Sequence, residues 1–304
     1  MMDNMERAFY DLKFNSEFQS KTANEFQLFF STIMSARYPS DFVPTRTWGR
    51  DGDQKCDGYM LSTGTFYQVY APDELDAKSA VRKMKEDFAG ALQKWEDKIK
   101  VWVFVHNARN GVPPHVLQQL TAFKKNNKAI KFIHMGKHEL KRILFETDES
   151  SIRSLLGAVP TYQDVNNLSM EAIKQTLLGI AKNKITSTTT IVPVSHMKLE
   201  ANGLSEESKS LFEAGMIRNN LVEKFFQQWH DPSLEERTAA EMNSIYKTAV
   251  SESIDPDNVF QRILTTISGT DLGNPSATVS ALSIMAYFFQ TCDIFEQPRE
   301  EGEA

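Results

Sequence analysis

The apolar residues Phe18, Phe26, Phe29, Phe30 and Ile33 fall at helical spacing, which predicts an amphipathic helix over 16–37. Pro39 ends it, because a proline disfavours the helical region at the residue before it, here Tyr38. The period then changes from helical to alternating. Residues 56–61 and 65–70 read as two strands joined by the turn STGT. From 76 to 98 the helical period returns, with Ala80, Met84, Phe88, Ala91 and Trp95 in register. VWVFVHN (101–107) is a continuous apolar run, the pattern of a strand buried on both faces. PPHVLQQLTAFKKNN is a helix with prolines at its start, AIKFIHMG a second buried strand, and KHELKRILFE another helix. The order α, β-hairpin, α, β, α, β, α predicts a mixed sheet with helices packed on it.

After about Glu146 no further strand pattern occurs. DVNNLSMEAIKQTLLGIAK reads as helical, and the Thr- and Ser-rich stretch NKITSTTTIVPVSHMKLEANG is the expected interdomain connector. Four helical patterns follow, near 204–229, 233–253, 256–268 and 275–292, with cap-like LSEES and DPSLEE and the breaker GTDLGNPS. The last is apolar almost all round, so it is expected at the centre of a bundle or against a partner. The organisation expected is an α/β domain over 1–165, a connector over 166–199 and an all-α bundle over 200–304, which suits a chain of 304 residues.

Charge sharpens this division. The formal net charge of −6 hides a block from Lys78 to Arg142 with 15 basic and 5 acidic side chains, flanked on both sides by acidic segments. A basic middle suits contact with phosphate, and a mixed solvated surface accounts for it equally well. The two cysteines, Cys56 and Cys292, form neither a disulfide framework nor a zinc-type pair. The first residues contain no apolar signal segment and no apolar run approaches 18 residues, so a soluble cytoplasmic protein without a membrane role is expected. Neither GxGxxG nor GxxxxGK[ST] is present, which argues against a doubly wound nucleotide-binding enzyme.

The candidate chemistry lies in WGRDGDQKCDGYMLSTGTFYQVYAP (48–72). Paired strands bring Asp57 and Gln68 side by side, and alternation puts Lys55, Asp57 and Tyr59 on one face of the first strand and Phe66, Gln68 and Tyr70 on one face of the second. Glu25 precedes Phe29 by four residues and follows Phe18 by seven, so it is expected on or beside the apolar stripe, where a carboxylate needs a partner. Glu25, Asp57 and Gln68 together would form an oxygen cluster suited to a hard divalent cation. Structural alternatives stand beside each: Asp51 and Asp53 as turn-shaping residues, Gln68 as a satisfied buried amide, Glu25 paired with Arg46, and His106 and His134 as structural residues at strand ends.

The spacing Asp57-x10-Gln68-x-Tyr70, preceded by a helix acid, resembles the PD-(D/E)XK nuclease superfamily, the restriction-endonuclease-like fold, over about residues 10–146. The resemblance implies an α/β restriction-endonuclease-like domain whose metal ligands are Asp57, Gln68 and Glu25, holding Mg²⁺ or Mn²⁺ for phosphodiester cleavage in DNA. The motif lysine, which helps position the attacking water, is replaced by Tyr70. A tyrosine, with a pKa of about 10, supplies no cation. Lys55, or the helix stripe Lys78, Arg82 and Lys85, is expected to supply it; otherwise the domain is a catalytically silent binder. DNA contacts are expected from Lys78, Arg82, Lys85, Lys124 and Lys125. ALSIMAYFFQTCDIFEQP near the end resembles the helical C-terminal domain of ABC-three-component defence systems, whose effectors work beside an SMC-like ABC ATPase and a third operon component. That implies an anti-phage effector nuclease, or an adaptor with a decayed nuclease fold, with operon subunits as partners and self-association left open.

Overall fold

The computed structural model describes residues 2–45, 56–74, 76–95, 98–109, 111–181, 202–253, 255–269 and 272–291. The chain divides into two compact units: residues 14–156, and residues 1–13 together with 157–304.

The first unit is an α/β domain. After α1 (Asn4–Ser20) and α2 (Ala23–Arg37) come β1 (Phe42–Pro44), β2 (Gly58–Met60), β3 (Thr65–Tyr70), α3 (Ala77–Trp95), β4 (Val101–His106), α4 (Pro114–Asn126), β5 (Lys131–Met135), α5 (Lys137–Phe145) and α6 (Glu149–Leu156). The strands form one sheet in the order β1-β2-β3-β4-β5. β1, β2 and β3 are antiparallel neighbours, and β3, β4 and β5 run parallel. The parallel half needs crossover connections, which α3 and α4 supply. Both cover the same face: Ala80, Met84 and Phe88 of α3 and Val116, Leu120 and Phe123 of α4 join Phe66, Trp102 and Phe104 in one core. On the other face Phe30 of α2 meets Phe42 and Tyr67, with ring centroids 5.8 and 5.5 Å away. With helices on both sides, the interior strand β4 can be apolar almost throughout, as its sequence shows.

The second unit contains helices: α7 (Tyr162–Asn166), α8 (Met170–Ile180), α9 (Glu206–Met216), α10 (Asn219–Gln228), α11 (Leu234–Glu252), α12 (Pro256–Ser268) and α13 (Pro275–Thr291). In α13 every residue from Thr278 to Phe289 is buried, and α8, α9, α10 and α12 pack around it. This is the central helix that its all-round apolarity predicts. Among the described residues no helix is long and apolar enough to cross a membrane.

Three features differ from the sequence-based expectation. The helix expected over 16–37 is two helices. The chain breaks before Ala23, whose φ is +44° and whose N–H donates to Ala71 O at 2.6 Å. The break lets Phe18 fold onto Phe26, at 5.2 Å between centroids. β1 was not expected, being only three residues long and ending in proline, which suits an edge strand. The single pattern at 204–229 is α9 and α10, separated at Ile217–Arg218. Residues 170–180 form α8, as the helical pattern of DVNNLSMEAIKQTLLGIAK predicts, although the connector bounds of 166–199 include them; 182–199 lie outside the described residues.

Candidate functional site

Asp57 stands immediately before β2. Its N–H donates to Tyr67 O at 2.8 Å, and Gly58 pairs with Tyr67, so Asp57 falls opposite Gln68 on β3. Both side chains are only 4% exposed. Three donors converge on the carboxylate: Gln68 Nε2 and Val69 N reach Oδ2, each at 2.7 Å, and Gln27 Nε2 reaches Oδ1 at 2.8 Å. Strand pairing therefore brings Asp57 and Gln68 together as the motif spacing predicts. Gln68 keeps one polar atom unused: Oε1 is buried and has no hydrogen-bond partner among the described residues. A buried oxygen of this kind costs about 1–3 kcal/mol unless something binds it.

Gly58 holds the next position because no side chain fits there. A Cβ on it would lie 2.5 Å from the Phe42 ring. The aromatic packing on the α2 face thus fixes the backbone that presents Asp57.

The helix partner of Asp57 is Gln27, a residue that the sequence reading does not single out. Glu25 lies exposed in the first turn of α2. Positions i and i+4 differ by about 40° around a helix, and Phe29 sits at the margin of the buried stripe, so Glu25 falls on the outer face with Leu28, which is 61% exposed. Gln27 precedes the buried Phe30 and Met34 by three and seven residues. An amide at that phase was the signal available in the sequence.

Tyr70 occupies the last position of β3, half-buried, with its ring 6.1 Å from that of Phe104. Burial pushes its phenol pKa up, and the Arg82 guanidinium pulls it the other way. Lys78, Arg82 and Lys85 are exposed on α3, which starts just beyond the end of β3. Arg82 is engaged with Glu86 at 3.3 Å. Lys55, Asp51, Asp53 and Arg46 lie outside the described residues. Lys124 and Lys125 end α4, which leads into the N-terminal end of β5. Asp57 faces the C-terminal half of β3, so these two lysines stand at the opposite end of the sheet.

His106 and His134 end β4 and approach the end of β5, with their rings stacked at 5.7 Å. His106 is 3% exposed, and its Nδ1 accepts from Ala108 N at 3.2 Å. Burial lowers its pKa from 6.5 to about 4, and the neighbouring His134 acts in the same direction. Gly136 makes room for the imidazole: a Cβ there would be 2.8 Å from His106 Cε1.

Among the described residues, no group of three or more His, Cys, Asp or Glu side chains could hold a metal ion. What the hairpin offers a hard cation is the Asp57 carboxylate and the unpartnered Gln68 Oε1. Mg²⁺ commonly takes one or two protein oxygens and keeps several waters, so this oxygen set fits once the Gln68 amide turns Oε1 toward the carboxylate.

Residues 171–296 match the family model described as C-terminal domain 10 of the ABC-three component (ABC-3C) systems. The helical region is thus similar to a C-terminal domain of that class, and the match covers less than half of the chain. Neither the curated proteins nor the solved structures contain a match.

Proposed function

We propose that the chain is the DNA-cleaving effector of an ABC-three-component anti-phage system, with its α/β domain acting as a nuclease of the restriction-endonuclease-like kind. The observation that carries this reading is the buried Asp57 set directly opposite Gln68, with Gln68 Oε1 unpartnered. The element order α2-β1-β2-β3-α3-β4, with an antiparallel hairpin running into a parallel strand, supports it. Asp57 and Gln68 would hold Mg²⁺, which activates water and stabilises the charge developing on a phosphodiester. Gln27 and Val69 N orient the Asp57 carboxylate. Lys78 and Arg82, exposed at the start of α3, offer positive charge to the bound phosphate. The helical domain docks onto the other components of the system, among them the ABC ATPase, which restrain or release cleavage.

A second reading has its own observation. Tyr70, packed on Phe104, stands where a nuclease of this kind carries lysine, and Gln27 satisfies Asp57 from the helix side. On that reading the domain is a silent subunit that binds DNA or a partner protein. Nicking of supercoiled plasmid in Mg²⁺ or Mn²⁺, with and without the other operon products, separates the two. Metal-dependent nicking that is abolished by EDTA is the expected result. Absence of cleavage under every combination establishes the silent reading.

A further inference from the structure

A second basic surface lies at the other end of the sheet. Lys98 and Lys100 lead into β4, Lys124 and Lys125 end α4, Lys128 lies in the turn that follows, and Lys131 opens β5; all six are exposed. The strands bring them together, for Lys131 N donates to Lys100 O at 3.0 Å. Between Asp87 and Glu139 the sequence has nine Lys and Arg but only two acids, Glu96 and Asp97. Lys98, Lys124, Lys125, Lys128 and Lys131 make no ion pair with any described residue, although Lys98 Nζ lies 5.8 Å from the Trp95 ring centre. Lysines at a helix C-terminus favour the helix dipole, which accounts for Lys124 and Lys125. The other four stand outside any α-helix. Their mutual repulsion is a standing cost that a bound polyanion relieves.

The chemistry of the surface narrows the polyanion. Single-stranded bases need exposed aromatic platforms, but Trp95 is packed against Phe66 at 5.0 Å and Tyr59 at 6.3 Å. A bilayer needs a broad apolar face to insert, and the adjoining turn offers a single large exposed apolar residue, Leu61. Lysine points without stacking or insertion suit the phosphates of a duplex. Gln68 pairs with Phe104, and Lys100 lies four residues before Phe104. The lysine end is therefore about 13 Å along the strands from the Asp57–Gln68 level.

We propose that this lysine end of the sheet docks the phosphate backbone of double-stranded nucleic acid, at a surface separate from the Asp57–Gln68 hairpin. The proposal stands whether or not that hairpin cleaves.

The test uses the full chain and fluorescence anisotropy with labelled duplexes of about 20 base pairs, one DNA and one RNA, across a range of salt. The triple variant Lys124→Gln, Lys125→Gln, Lys128→Gln should weaken binding of the preferred duplex about tenfold or more. The slope of log affinity against log salt should fall by about 2 to 3, near 0.9 for each phosphate that is no longer neutralised. Its melting temperature should not change, since all three side chains are exposed. Binding of either duplex that weakens in this way supports the surface. Wild-type affinity and slope in the triple variant would overturn it. So would weakening confined to Lys78→Gln, Arg82→Gln, or binding to phosphatidylserine vesicles with no binding to either duplex.

Discussion

Gly58 shows how one residue ties packing to the site. Its α-hydrogen faces the Phe42 ring, where a methyl group would be 2.5 Å from two ring carbons. Gly58→Ala should therefore cost about 1–3 kcal/mol, the range for overpacked positions. The cost should shrink in a Phe42→Ala background, which denaturant melts of the four proteins of this double-mutant cycle would show. His106 gives a pH dependence. Its pKa is lowered from 6.5 to about 4 by burial, so the unfolded chain binds a proton at a pH where the folded chain does not. That sign means stability is lost as pH falls through 6.5 toward 4. The loss should be about 2 kcal/mol between pH 7 and pH 5. His106→Gln should remove that part of the slope in melts across the same range. Tyr70 tests the question of charge. If the site lacks a cation, Tyr70→Lys should leave nicking unchanged or raise it, and a folded variant with lower activity would show that the phenol itself matters. Asp57 and Gln68 were legible in the sequence because a strand pair with a short turn fixes which residues oppose each other. The third partner was not, because two residues, about 200° of helix phase, separate the exposed Glu25 from the inward Gln27.

At the scale of elements, the long periodic segments were legible. The strands at 65–70 and 101–106 and the helix at 256–268 lie where alternation, apolar runs and capping residues place them. The short or interrupted elements were not. β1 is too short to show a period, and the break before Ala23 carries neither proline nor glycine; it is set by tertiary contacts with Ala71 O and by the Phe18–Phe26 packing. In the helical domain, α9 lies close on α13 at Gly215, where a Cβ would be 2.7 Å from Leu282 O and 3.0 Å from Ala286 Cβ. Backbone cannot give way as a side-chain tip can. Gly215→Ala should push the two helices apart and lower stability by about 1–3 kcal/mol, which denaturant unfolding followed by helical circular dichroism would detect. A matched substitution at Gly269, where a Cβ meets nothing within 4 Å but φ is +65°, isolates backbone strain from crowding.

At the scale of the whole chain, the charge asymmetry and the change from α/β to all-α pattern divide the work. The α/β unit carries the hairpin and the basic block, and the helical unit carries the ABC-three component match. The basic block reads as one feature in the sequence, but the fold separates it. Lys78 and Arg82 stand near the end of β3 that bears Tyr70, whereas Lys124 and Lys125 stand at the far end of the sheet. Linear charge counting cannot see that division, since it depends on strand direction. The central claim, that Asp57 is the heart of a nuclease site, is tested most directly by comparing metal-dependent plasmid nicking by the wild type and by Asp57→Asn, with the partner components present. The variant keeps the size of the side chain and one acceptor oxygen for the Gln68 and Val69 donors. A nuclease site at Asp57 requires a folded variant, melting within a few degrees of the wild type, whose nicking falls to background. A folded Asp57→Asn protein that nicks at the wild-type rate would contradict it.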